Sequence, residues 1–134
     1  MTDPHGAVHL SAPRLSALRL QTLIAVLSDP GCRRVLARLL SDPWQRQGYA
    51  EYYAHDLDVA LDLVDVPRRL VELRHAGWIH QRPAAYGLVS RLRRDDLELR
   101  FPDTMRSLRR AGRPLRRRSL DTEQIEARLE QLAR

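Results

Sequence analysis

Asp62-Leu63-Val64-Asp65-Val66-Pro67-Arg68-Arg69-Leu70-Val71-Glu72-Leu73-Arg74-His75-Ala76-Gly77 decides the fold. Proline has no backbone N–H to give and a fixed φ, so Pro67 breaks a helix interior but suits a first turn. A helix therefore restarts just ahead of it, with Asp62 or Asp65 as the N-cap. Val66, Leu70 and Leu73 then share one face at helical spacing. Gly77 closes the helix, free to take a left-handed cap. The stretch before the break is also helical in pattern: Tyr49, Tyr52, Tyr53 and Leu57, then Val59, Leu61, Leu63 and Val64. Two helices thus meet at a short turn.

Downstream, the periodicity changes. Trp78 to His80 reads as short and extended. Leu88, Ser90 and Leu92 alternate with Val89, Arg91 and Arg93, and Leu97, Leu99 and Phe101 alternate with Glu98 and Arg100. Two alternating runs around a polar turn, Arg94-Asp95-Asp96, predict a β-hairpin ending at Pro102. A broken helix pair followed by a hairpin is the order of a winged helix-turn-helix. In that fold the second helix enters the major groove and the hairpin, or wing, reaches the adjacent backbone or minor groove. The reading helix is expected at about 63–75 and the wing at about 86–101.

Upstream, residues 1–10 read as a mobile polar tail. Ser11 caps a helix that tolerates Pro13 in its first turn and carries Leu15, Leu18, Leu23, Ile24, Val26 and Leu27. Asp29 caps and Pro30 opens the next, with Val35, Leu36, Leu39 and Leu40 as its buried stripe; Ser41-Asp42-Pro43 ends it, and Trp44 to Gly48 is a loop. After a short helix from Asp103 to Arg110 comes a basic linker with Arg116, Arg117 and Arg118. A last helix follows from Asp121, where Asp121 and Gln124 have capping-box spacing and Ile125, Leu129 and Leu132 line one face. The expected division is a tail at 1–10, a winged helix-turn-helix domain at 11–110, and linker plus helix at 111–134. The fold class is mainly α with a small β-hairpin, the N- and C-terminal helices offering spare apolar faces for dimerisation.

The chain has 134 residues, 43% of them hydrophobic, and a formal net charge of +6; all 23 basic residues are arginine. That length is one domain. A basic surplus points to nucleic acid or an anionic membrane surface, and guanidinium forks suit phosphates and guanine edges. Cys32 is alone, so no internal disulfide forms. No run is apolar enough to span a bilayer, and the first residues lack a signal-peptide pattern. A reduced, cytoplasmic protein is expected.

Leu27-Ser28-Asp29-Pro30-Gly31-Cys32-Arg33-Arg34-Val35-Leu36 resembles the "LSDPTRRRIL" segment of ArsR/SmtB-type regulators, and Leu70-Val71-Glu72-Leu73-Arg74-His75-Ala76-Gly77-Trp78-Ile79 resembles the "LKVLREAGLV" end of their recognition helix. The resemblance covers roughly Leu15 to Thr104. It implies a dimeric transcription regulator, read as a repressor, whose first and last helices form the dimer interface. The chain departs from the family at the start of the reading helix, where Asp62 and Asp65 stand in place of small polar residues. It also lacks the family's metal motifs: no Cys-x-Cys occurs, and the last helix has no histidine. No metal or cofactor is expected. Cys32 reads as a packed small hydrophobe, His5 and His9 as incidental tail residues, and Tyr49, Tyr52 and Tyr53 as ordinary packing.

The expected DNA contacts are Arg68 and Arg69 on the reading helix, because arginine is the commonest bidentate reader of guanine. Arg91, Arg93 and Arg94 are expected on the wing, where phosphate contact needs only charge and reach. The partners so implied are double-stranded DNA and a second copy of the chain. The alternative is a winged-helix module that has lost DNA reading and binds a protein, motivated by Asp62 and Asp65. An enzyme is not expected: no glycine-rich phosphate loop, metal-ligand spacing or nucleophile–base pair is present.

Overall fold

A computed structural model describes residues 9–41, 50–111 and 118–134. Helix α2 (Pro30–Leu40) is the centre of the molecule. Asp29 has extended backbone and its carboxylate accepts from the Gly31 amide at 3.0 Å, and Pro30 occupies the first helical position. The start read from Asp29-Pro30 is therefore the start observed. Val35, Leu36, Leu39 and Leu40 are all buried.

Ahead of α2, the single helix expected from Ser11 to Leu27 is three short pieces: a 3-10 turn at Leu15–Ala17, α1 (Leu20–Ala25), and a second 3-10 turn at Val26–Ser28. The interruption at Leu18 and Arg19 has a packing cause. Both residues are extended, Leu18 is buried, and its carbonyl accepts from Arg100 Nη2 at 3.0 Å rather than from a following turn. Propensity yields here to a tertiary contact. His9 and Leu10, expected in the tail, lie against the sheet: His9 is buried and the Leu10 amide donates to the Gln81 carbonyl at 2.8 Å.

Tyr52 and Tyr53, expected in a helix, form the short strand β1 (Tyr52–Tyr53), followed by α3 (Ala54–Leu61) and α4 (Val66–Ala76). Aromatic residues favour a pleated, half-buried surface, the signal that the helical reading overlooked. Helix α4 starts and stops where Pro67 and Gly77 place it. Gly77 has φ +103°, its amide donates to Leu73 and Arg74 carbonyls, and the Trp78 amide donates to Leu73 at 3.0 Å. This is a Schellman closure. A Cβ on Gly77 would overlap Leu18.

The hairpin exists, one strand upstream of its expected position. Strands β2 (Ile79–Ala84) and β3 (Gly87–Leu92) pair antiparallel, from Ile79 with Leu92 to Ala84 with Gly87, and β1 adds on the other side of β3. Residues expected as the hairpin turn and second strand form α5 (Arg94–Arg100) instead. The wing expected at 86–101 is thus corrected to a hairpin at 79–92. Asp95 and Asp96 lie in the first turn of α5, where carboxylates favour a helix start. Leu97 is buried while Leu99 is 70% exposed, so the alternating leucines lie on opposite sides of a helix and not on one face of a strand. Helix α6 (Pro102–Ala111) follows directly.

Helix α7 (Arg118–Leu132) begins three residues before the expected Asp121 cap and packs chiefly on α2. Ile125 and Leu129 are fully buried in the same core as Leu36, Leu40, Leu73 and Trp78. The last helix spends its apolar stripe inside the chain, not on a free outer face. Among the described residues, no helix is long and apolar enough to cross a membrane. The architecture is mainly helical with a small three-stranded antiparallel sheet.

Candidate nucleic-acid interface

The site predicted from sequence centres on α4 and the turn before it. That turn is unusual. Asp62 and Asp65 both have left-handed backbone, with φ of 52° and 65°. Such a conformation costs a non-glycine residue of order 1 kcal/mol, and aspartate tolerates it better than most. Asp65 sits at the N-cap position of α4 but its side chain makes no capping bond. The carboxylates of Asp62 and Asp65 are instead exposed, and so are Val59 at 84% and Val64 at 78%.

Arg68 lies on the first turn of α4, 57% exposed, in an i,i+4 ion pair with Glu72 at 3.0 Å. An exposed pair of this kind is worth little and opens readily. Arg69 is placed differently. Its Nε donates to Asp29 Oδ2 at 3.1 Å, its Nη1 donates to the Val64 carbonyl, and its side chain is 17% exposed. It runs back over Gly31 at the start of α2 and away from the outer face of α4. Arg34 makes a parallel contact, donating from α2 to the Leu61 carbonyl at 3.0 Å. The sequence reading had no signal for this distinction, since Arg68 and Arg69 are adjacent and chemically identical.

Among the expected wing residues, Arg91 lies on β3 opposite His80. Arg93 is 4% exposed; it donates to Asp96 through Nε and Nη2 and to the Pro13 carbonyl at 2.6 Å. Arg94 is buried at the start of α5. Arg93 and Arg94 therefore sit between the end of β3 and the start of α5, not at a hairpin tip. The tip itself is Ala85-Tyr86, with Tyr86 exposed, and Arg82 beside it is paired with Glu51. Arg116 and Arg117, expected in the basic linker, lie outside the described residues, as do Tyr49, His5 and Trp44 to Gly48.

Beneath the α2–α4 contact lies a group the linear sequence does not bring together. Cys32 is fully buried, its Sγ 3.4 Å from Asp29 Oδ2 and 3.3 Å from Glu72 Oε2. One thiol proton serves two carboxylates. Burial, then the Glu72 and Asp29 bonds and their charges, push the Cys32 thiol well above its ordinary range. Arg33 and Arg34 do not activate it; they donate to the Leu27 and Leu61 carbonyls. Burial alone would raise Asp29, but the Gly31 amide, the Cys32 thiol and the Arg69 guanidinium outweigh it and hold the carboxyl below its ordinary value. The donor atoms of Asp29, Cys32 and Glu72 lie within 4.8 Å of one another, near enough to share a cation. The Arg68 and Arg69 guanidiniums already neutralise the two carboxylates from outside.

No protein-family profile and no curated protein matches this chain.

Proposed function

We propose that this chain is a winged-helix protein that binds double-stranded DNA through α4, as an ArsR-like transcriptional regulator working as a homodimer. The observation that carries the reading is the succession of elements: α3, a four-residue turn at Asp62–Asp65, α4, and an antiparallel hairpin directly after the Gly77 closure. That is the order in which a helix-turn-helix presents its second helix to the major groove and its wing to the flanking backbone. Arg68 is the leading contact, exposed on the first turn of α4 with a partner it can exchange for a phosphate or a guanine. The net charge of +6 supplies long-range attraction.

The test is fluorescence anisotropy with mixed and selected duplexes over a salt series. Affinity should fall linearly on a log–log plot, and Arg68→Ala should reduce the slope by about one released counterion. Absence of binding at low salt rejects the reading.

A second reading is favoured by one feature. Asp62, Asp65, Val59 and Val64 place exposed acid and exposed apolar surface around the turn that would approach phosphates. A protein partner with a basic, apolar face suits that surface better than DNA does. It predicts partner binding that Val64→Asp abolishes, with duplex affinity absent throughout the salt series.

A further inference from the structure

We propose that Arg69 is a positioning residue: it clamps the α3–α4 turn to the N-terminus of α2 and so sets the angle at which α4 is presented. The role in binding rests on the DNA reading above; the clamp itself does not.

Three observations carry it. First, the turn needs support. Two left-handed aspartates three residues apart persist only where neighbouring structure over-determines them. Second, Arg69 bridges the two parts that must be held together. Its Nη1 takes the Val64 carbonyl, between those aspartates, while its Nε takes Asp29 Oδ2, the carboxylate that also caps α2. Arg34 from α2 takes the Leu61 carbonyl at the end of α3. Two arginines thus satisfy carbonyls on either side of Asp62 and tie them to one helix. Third, the sequence leaves room for the clamp. Residue 31 is glycine, and a Cβ there would overlap the Arg69 guanidinium. Its helical backbone needs no glycine on conformational grounds, so the missing side chain is accounted for by the guanidinium lying across it.

The clamp continues to Arg68. Asp29 shares the Cys32 thiol with Glu72, and Glu72 holds Arg68. The chain Arg69, Asp29, Cys32, Glu72, Arg68 links the inner guanidinium to the outer one. Displacing Arg69 therefore shifts the turn and the start of α4, and with them the backbone that carries Arg68, without removing any charge from the surface.

Gly31→Ala separates position from charge, because a Cβ there displaces Arg69 Nε and Cζ from their place over α2 and leaves every charge in place. Amide hydrogen exchange on the free protein reads the clamp. Gly31→Ala and Arg69→Gln should both speed exchange across residues 62–69, and Arg68→Gln should not; unchanged exchange in the first two overturns the proposal. Anisotropy reads its consequence, using a duplex enriched on the wild-type protein from a random pool and a mixed-sequence duplex. Gly31→Ala should weaken the enriched duplex roughly tenfold, as expected for coupled contacts, with the salt slope retained. If Gly31→Ala binds as the wild type does while Arg69→Ala lowers the slope by about one, Arg69 is a phosphate contact and the proposal fails. If exchange responds but no duplex binds any variant, the DNA reading falls and the clamp stands.

Discussion

Cys32 shows how much a single side chain's meaning depends on what folds against it. In the sequence it stands beside Arg33 and Arg34, neighbours that would lower a thiol pKa. In the fold those guanidiniums reach backbone carbonyls, and the thiol faces Asp29 and Glu72. The thiol therefore stays protonated and inert. In native protein at neutral pH, Cys32 should react with a thiol-specific disulfide reagent only at the rate of unfolding, and fully once urea is added; rapid stoichiometric labelling of folded protein would contradict this. Cys32→Ala removes the shared proton and leaves two carboxylates facing each other, at an expected cost of about 1–3 kcal/mol in urea unfolding.

His80 makes a second residue-scale case. Its ring lies against that of His9, centroids 4.5 Å apart and planes tilted by 59°, with Arg93, Arg91 and Asp96 around it, and its Nδ1 is buried without a hydrogen-bond partner. Burial first, then the charge of Arg93, lowers its pKa to about 4. The folded state thus holds His80 neutral, whereas the unfolded chain takes up a proton near the ordinary value of about 6.5. Stability from this group is complete above the unfolded value and is lost as pH falls from about 6.5 to about 4, by at most about 3 kcal/mol. Urea unfolding at pH 7.5 and pH 5 (roughly bracketing that onset) should show a smaller drop for His80→Phe than for the wild type. Equal drops would remove His80 as the cause.

At the scale of elements, the sequence reading succeeded where backbone chemistry acts locally. Asp29 with Pro30 and Ala76 with Gly77 mark helix ends through groups that cap within the same few residues. It failed where two structures share one pattern. Leu97, Leu99 and Phe101 alternate as a strand would, but a seven-residue helix also carries leucines two apart. The true partner of β3 is β2, whose His80-Gln81-Arg82-Pro83 shows no apolar alternation because Gln81 is buried through a side-chain bond to Ser90 at 3.1 Å. No hydropathy pattern reports a buried amide satisfied across strands. The two assignments differ experimentally. In the helix, Leu97→Ala should cost about 2–5 kcal/mol, while Leu99→Ser should stay within about 0.5 kcal/mol. A hairpin strand would place both leucines on one face and penalise both. Paired thermal melts of the two variants decide between them.

The candidate site was legible to a different degree. Arg68 and Arg69 are identical in the sequence, and only the third dimension turns one outward and the other onto Asp29, forty residues away. Arg93 and Arg94 were assigned to a wing through the misplaced hairpin, so one error in strand pairing carried over into two site residues. Helix order survived that error, because it depends on Pro67 and Gly77 and not on which strands pair.

For the whole molecule, the position of α7 bears on how two copies could meet. Ile125, Leu129 and Leu132 suggested a free apolar stripe for a partner, yet Ile125 and Leu129 have no exposed surface and pack into the α2 core. Burial of this extent within one chain means that α7 supports the fold before it supports any assembly. The two roles give different concentration dependence. A residue buried at a subunit interface makes unfolding depend on protein concentration, and its loss shifts that dependence; a residue buried within the protomer lowers stability equally at all concentrations. Leu129→Ala should therefore lower the melting temperature by the equivalent of about 2–5 kcal/mol, by the same amount at low and high protein concentration, with the oligomeric state measured by light scattering unchanged. A folded variant that is merely more monomeric than the wild type would instead return α7 to the interface. The part of the first helix that remains available for pairing is Leu20, the one α1 leucine with substantial exposure among the described residues. Leu20→Asp should accordingly leave the thermal transition of dilute protein nearly unchanged, within about 0.5 kcal/mol, while a homodimer that closes through α1 would dissociate.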